Sequence, residues 1–180
     1  IGHIFFNMFA LVIFGTQLEK VWGPQKFLIY YISCALGASV LHLSVTYFRI
    51  QNIEIGLSPD DLALFRESAY EAFKKGMNFK DPLLAQLNIL HNSPMLGASG
   101  AVFGLLAAFG YLFPNTELML LFPPIPIKAK YFVIGYAALE LYLGISNNPS
   151  DNVAHFAHLG GALVGIIIVL YWGKNRTSFF

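Results

Sequence analysis

Three apolar segments of the chain carry polar side chains of the types that acyl transfer requires. Ser99 lies in the sequence Gly-Ala-Ser-Gly at 97–100, and His158 lies in the last apolar segment. His3 and Asn7 are four residues apart in the first segment, so they lie on one face of a helix. Polar and ionisable residues are costly inside a membrane and usually mark function. Together these residues supply a nucleophile, a base and donors for an oxyanion.

Each of these signals also has a plain structural interpretation. A Gly-x-Ser-Gly sequence in an apolar helix is often a packing motif, because small residues let two helices approach closely. A His-x-x-x-Asn pair is often an interhelical hydrogen bond. The combination on three separate segments is what favours a catalytic site.

The histidines also raise the hypothesis of a metal site, which their spacing argues against. His155 and His158 are three apart without an intervening glutamate, unlike the His-Glu-x-x-His motif. No Asp or Cys ligand lies in a neighbouring apolar segment, and Glu140 is the one candidate carboxylate, at the periphery. We predict no metal and no cofactor. Glu140 could face a cavity or hydrogen-bond across helices as a neutral acid, and a structural role is favoured.

The composition is that of an integral membrane protein. Hydrophobic residues make up 56% and charged residues 12% of 180 residues, whereas soluble domains have about 45–50% and about 25%. The net charge of +1 gives no indication of nucleic acid, and the single Cys34 allows no disulfide framework. We predict one membrane domain over residues 1–180. Because residue 1 already lies in an apolar segment, the chain is expected to be a fragment without its N-terminal part.

Apolar runs predict the membrane-crossing segments. Each must satisfy its own backbone hydrogen bonds in lipid, so helices are expected and the fold class is all-α. The segments are Ile1–Leu18, Phe27–Val45, Ala98–Phe113, Tyr131–Ile145 and Val153–Trp172. The third is short: its 16 residues span roughly 24 Å as a helix, against a hydrocarbon core of about 30 Å. Ser99 at its start is therefore expected below the membrane surface.

Basic residues predict the orientation of these segments. The positive-inside rule places the first connection, the third connection and the tail in the cytoplasm. Their basic residues are Lys20, Lys26, Lys128, Lys130, Lys174 and Arg176. The long connection 46–96 carries both signs of charge and is placed outside. Ser99 then lies at the outer end of its helix, in a wet cavity that supplies water, and the inner membrane of a bacterium is the expected location.

Two connections have recognisable local signals. In 46–96, Ser58 suits an N-cap before Pro59, and Gly76 suits a helix end. A second short helix is predicted from Asp81-Pro82 to before Pro94. This insertion either packs on the core or the lipid surface, or covers the site. The three prolines between Leu118 and Ile127 exclude a regular helix and predict an irregular interfacial loop.

Four motifs follow one another along the chain: His3-x-x-x-Asn7, Glu19 to Gly23, Gly97-Ala98-Ser99-Gly100, and His158-x-x-Gly161-x-x-x-Gly165. Their order resembles that of the rhomboid family of intramembrane serine proteases. The resemblance implies a polytopic bundle with a six-helix core, of which five transmembrane helices are present here, and a short central serine-bearing helix. It also implies a Ser–His dyad that opens outward and cleaves peptide bonds in or beside a substrate's transmembrane helix. The family's first helix and the Trp-Arg loop after it are absent from the sequence.

The family pattern assigns a role to each motif residue. Ser99 is the nucleophile and His158 the base, with His155 as the rival base. His3 and Asn7 serve the oxyanion or the substrate. Gly161 and Gly165 let the last helix approach Gly100 and Gly104 of the serine helix, with Gly97 as further packing support.

Two residues near the dyad need an interpretation of their own. Phe103 follows Ser99 by four residues and either orients the imidazole or simply packs in the core. No acidic third member is evident, since Asp151 lies seven residues before His158 and is expected to be a loop or cap residue.

The expected partners are transmembrane substrate proteins and the lipid bilayer, with no nucleic acid. One alternative is an inactive relative that binds and escorts membrane proteins. A transporter or channel subunit is another, although it would predict polar residues through the full membrane thickness. The sequence does not determine the oligomeric state.

Overall fold

The computed structural model describes residues 2–92, 98–119, 124–146 and 154–174. These residues are mostly helical. The helices are α1 (Gly2–Ala10), a π-helical turn (Leu11–Gly15), α2 (Thr16–Trp22), α3 (Pro24–Ile55), α4 (Pro59–Lys74), α5 (Pro82–Asn92), α6 (Ser99–Leu112), α7 (Ala129–Ser146) and α8 (His155–Lys174). The strands are β1 (Glu117–Met119) and β2 (Pro126–Lys128). The chain divides into two compact units, Ile1–His42 with Gly97–Phe180, and Leu43–Leu96.

The serine-bearing helix α6 lies at the centre of the first unit. Every residue from Gly100 to Gly110 is buried, and α6 packs against α7, α8 and the first helix. The surrounding helices instead expose large apolar side chains, such as Ile4 at 68% and Tyr142 at 70%. A helix that is apolar all round belongs in an interior, and so extensive an exposed apolar surface suits contact with lipid. The prediction of a helical membrane bundle with a short central serine helix is confirmed.

Among the described residues, three helical stretches have the length and composition needed to cross a membrane: Gly2–Trp22, Pro24–Ile55 and His155–Gly173. The second continues past the predicted end at Val45. Helix α6 is shorter, and its 14 residues span about 21 Å. Helix α7, which carries Glu140 and Lys130, is not among the three. The structure thus places a helix on each of the five predicted segments, and three of the described helical stretches meet the length and composition of a membrane span.

A tight turn at Gly23 joins α2 to α3. Gly23 has φ 78°, a left-handed conformation that strains any residue with a β-carbon. Its N–H donates to the Glu19 carbonyl at 2.7 Å, which closes the end of α2. The motif from Glu19 to Gly23 therefore forms the end of α2 and the turn at which the chain reverses direction.

The second unit contains α4, α5 and the last turns of α3. Ser58 Oγ accepts from the Asp61 N–H at 3.2 Å, and Pro59 opens α4. Gly76 follows the end of α4 with φ 69°. A small core holds this unit together, formed by Phe65, Ala69, Leu84 and Leu87. Both predicted helices of the insertion are confirmed, although Pro94 lies outside the described residues.

The proline-rich connection differs from the irregular loop that the sequence predicts. Strands β1 and β2 pair antiparallel, with Glu117 opposite Lys128 and Leu118 opposite Ile127. The prolines do exclude a helix. A proline is tolerated in a strand whose N–H side faces no partner, and each strand of this hairpin has one unpaired edge.

Candidate active site

Ser99 is the first residue of α6. Ala98 occupies the N-cap position and offers no side-chain hydrogen bond to the helix. The first N–H groups of a helix have no intrahelical partner, and the helix dipole favours negative charge beside them. Ser99 is partly exposed, whereas Gly100 behind it is buried. Gly97 lies outside the described residues.

Glycines bring the backbones of α6 and α8 into direct contact. A β-carbon on Gly161 would collide with the carbonyl oxygen of Gly100 and lie 2.6 Å from its carbonyl carbon. A β-carbon on Gly165 would lie 3.1 Å from the Gly104 Cα. Because backbone atoms cannot move aside as a flexible side chain can, these glycines set the distance between the two helices.

His158 lies against the face of α6 that carries Ser99. Its ring stacks on Phe103 with the centroids 4.2 Å apart and the planes 4° from parallel. Phe103 is four residues after Ser99, so both residues lie on the same side of the helix. Within the described residues, no hydrogen bond joins Ser99 Oγ to the imidazole. Catalytic hydrogen bonds are often long without substrate, so the stacked geometry still suits a base beside the hydroxyl.

A carboxylate that the sequence analysis left in a structural role lies beside both histidines. Glu140 Oε2 is 2.7 Å from His155 Nδ1 and 2.8 Å from His158 Nδ1. All three side chains are buried. Helices α7 and α8 are consecutive and pack together, so residues near their shared connection meet. The closeness of these two segments in the sequence could therefore have predicted that Glu140 contacts the histidines. Asp151 lies outside the described residues.

This cluster also has the donor types of a metal site. One ligand atom from each of Glu140, His155 and His158 lies within 4.8 Å of the others, so Glu140 lies beside the histidines and not at the periphery where the sequence analysis expects it. Ligand atoms around a tetrahedral zinc ion are about 3.3 Å apart, from bond lengths of about 2.0–2.1 Å. The separations of 2.7 and 2.8 Å are instead those of hydrogen bonds.

His3 and Asn7 lie one turn apart on α1, which contacts α6. The Asn7 side chain is buried, and its Nδ2 donates to the His3 carbonyl at 2.8 Å. The same nitrogen lies 3.3 Å from His3 Nδ1. His3 itself is exposed. The amide nitrogen carries two N–H groups, so its bond to the carbonyl uses only one of them.

The chain also matches a known protein family. A family model described as Rhomboid domain matches residues 1–65 and 81–175. The chain belongs to the rhomboid family. The motif resemblance read from the sequence is thereby confirmed, and the unmatched residues 66–80 lie in the second unit.

Rhomboid proteins of several organisms are similar to the whole chain. RHOMBOID-like protein 12, mitochondrial, of Arabidopsis thaliana is 32% identical over 100% of this chain and 44% of its own length. Rhomboid protein 1, mitochondrial, of Saccharomyces cerevisiae is 28% identical over 96% of this chain and 38% of its own. Rhomboid protease AarA of Providencia stuartii is 27% identical over 92% and 49%. The chain thus spans less than half the length of these relatives. No solved structure gives a significant match.

The glycine contact predicts an asymmetric response to added bulk. In Gly161→Val, the new side chain meets the Gly100 backbone, so α8 must move away from α6. A displacement near 1 Å can cost about 10² in rate, whereas overpacking costs about 1–3 kcal/mol of stability. We expect the rate at which a fluorophosphonate labels Ser99 to fall by about two orders of magnitude. Expressed as free energies, this loss of rate should exceed the loss of thermal stability in detergent.

Gly173→Val is the matched control in the same helix, because nothing lies within 4 Å of a β-carbon there. It should label at the wild-type rate. Equal rates for wild type and Gly161→Val would contradict the direct backbone contact.

Proposed function

We propose that this rhomboid protein is an intramembrane serine endopeptidase in which Ser99 is the nucleophile and His158 the base. The observation that carries the proposal is the stacking of His158 on Phe103, one turn from Ser99 on the same face of α6. The ring is held flat against the helix that begins with the serine. The glycine contact between α6 and α8 keeps it there.

The proposed reaction follows the general course of acyl transfer. As Ser99 Oγ attacks the carbonyl carbon of the scissile bond, its proton passes to His158, and the carbonyl oxygen becomes negative. The imidazolium then gives this proton to the leaving amine as the C–N bond breaks. A water molecule, activated by the same imidazole, hydrolyses the acyl-enzyme and regenerates Ser99.

The negative oxygen needs hydrogen-bond donors close to the serine. The N–H of Ser99, at the helix start, is one such donor, and the helix dipole supports it. Asn7 supplies an amide N–H, and His3 a ring N–H, from the neighbouring first helix. We propose this oxyanion role for the pair. Reorientation of Asn7 from its bond with the His3 carbonyl would direct more of its amide toward substrate.

The proposed substrates are transmembrane segments of membrane proteins, reached from the lipid bilayer. One relative is named a protease, which supports hydrolysis over simple binding. Rhomboid membership and the apolar helices make the chain an integral membrane protein. The relatives from Arabidopsis and Saccharomyces are named mitochondrial, so they favour an organelle membrane over the bacterial inner membrane expected from the sequence alone.

A serine-directed fluorophosphonate probe tests this proposal directly. The full chain in detergent should react with the probe, and Ser99→Ala should not. A wild-type protein that resists the probe, yet still co-purifies with membrane proteins, would favour the inactive escort function.

The second test separates the two histidines. Ser99→Ala and His158→Ala should each abolish cleavage of a transmembrane model substrate, because each removes a proton-transfer partner. His155→Ala should keep most activity, since its ring is not the one stacked beside the serine. Cleavage is measured by gel in proteoliposomes. An inactive His155→Ala with an active His158→Ala would reverse the assignment of the base.

The third test concerns the oxyanion donors. Asn7→Ala and His3→Ala should each lower kcat by roughly 10 to 10³, the range found when a donor is lost. Their circular dichroism and melting should stay close to wild type. Unchanged kcat in both variants would return this pair to ordinary helix packing.

A further inference from the structure

Glu140 is a buried ionisable group with no part in the proposed dyad. Residue Glu140 is 3% exposed, whereas its neighbours in α7, Leu139 and Leu141, face outward. Burying a carboxylate is costly unless hydrogen bonds or charges compensate it. The groups that hydrogen-bond to Glu140 therefore indicate the role of this residue.

Both partners of Glu140 approach through the same ring atom. His155 Nδ1 and His158 Nδ1 lie 2.7 and 2.8 Å from Glu140 Oε2. With Glu140 ionised, the carboxylate only accepts hydrogen bonds, and each Nδ1 then carries the proton that it donates. A neutral imidazole has one N–H, and the Nε2 of His158 is then the nitrogen with a free lone pair.

Two contacts together fix the His158 ring. Phe103 covers one face of the ring, which restricts its tilt. Glu140 holds the Nδ1 edge, which restricts rotation of the ring about its own axis. Nε2, on the opposite edge, is consequently the atom available to accept a proton.

We propose that Glu140 is a positioning residue for His158, selecting the Nδ1-protonated tautomer and stabilising the imidazolium that forms during the reaction. This inference rests on the proposed serine protease function and extends the dyad to a Ser99–His158–Glu140 array. The serine proton goes to His158 Nε2 and on to the leaving amine. Glu140 keeps its charge throughout and takes no proton, as the acid of a serine protease triad does.

A purely structural Glu140 would act differently. In that case its two hydrogen bonds would only tie α7 to α8, and breaking either bond would have similar effects. His155→Ala removes one of the two bonds and leaves the other in place. It is therefore the matched control for the loss of an interhelical hydrogen bond.

The experiment compares Glu140→Gln, Glu140→Asp and His155→Ala in the full chain. Glutamine keeps the shape but lacks the charge, so kcat should fall by about 10² to 10⁴ with KM within about twofold. Aspartate restores the charge at a shorter reach, so its kcat should lie between wild type and Glu140→Gln. His155→Ala should stay near wild type in kcat. Thermal melting measures how much stability each of the three variants loses.

Nitrogen NMR of histidine-labelled protein supplies a readout that does not depend on activity. His158 should be protonated at Nδ1 in the wild type and lose that preference in Glu140→Gln. If wild type is inactive but this tautomer shift occurs, the proposed protease function fails while the positioning by Glu140 stands. If wild type cleaves substrate and Glu140→Gln matches it in kcat and in tautomer, the positioning role is overturned while the protease function stands.

Discussion

The direct backbone contact between α6 and α8 is the constraint on which the rest of the site depends. Gly161 and Gly100 meet without side chains between them, so the carbonyl of one helix lies where a β-carbon of the other would be. A second contact, between Gly165 and Gly104, keeps the helices close over another turn. Only at this spacing does the His158 ring reach Phe103 on the serine helix. In lipid, such packing replaces the hydrophobic effect as the source of association between helices.

The first unit encloses a cluster of buried polar side chains, while its surface is largely apolar. Large apolar side chains on the outer helices face outward, whereas Glu140, His155 and His158 are enclosed between α7 and α8. Both histidine Nδ1 atoms lie within hydrogen-bond distance of the Glu140 carboxylate, so its burial does not leave it without hydrogen-bond partners. The aromatic ring of Phe103 closes the remaining face of His158. The Phe103 contact and the Glu140 hydrogen bond together hold the His158 imidazole more precisely than a single hydrogen bond can.

Much of this arrangement could be predicted from local sequence signals, because caps, glycines and apolar periodicity act over a few residues. Ser58, Pro59 and Gly76 bound α4 where the sequence places its ends. The β-hairpin was missed, since prolines exclude a helix without indicating which strands pair. The contacts of Glu140 were missed because they depend on how α7 and α8 pack, and charge spacing within one helix carries no such information. The roles of Ser99, His158, His3 and Asn7 stay predictions.

A structure of the protein in lipid with Ser99 phosphonylated would show whether His158 is the base beside the serine. We expect His158 Nε2 within about 3 Å of the serine oxygen or the phosphonyl group, with Nδ1 still bonded to Glu140 and the ring still stacked on Phe103. A structure in which His158 points away from the adduct, with His155 or water in its place, would contradict it.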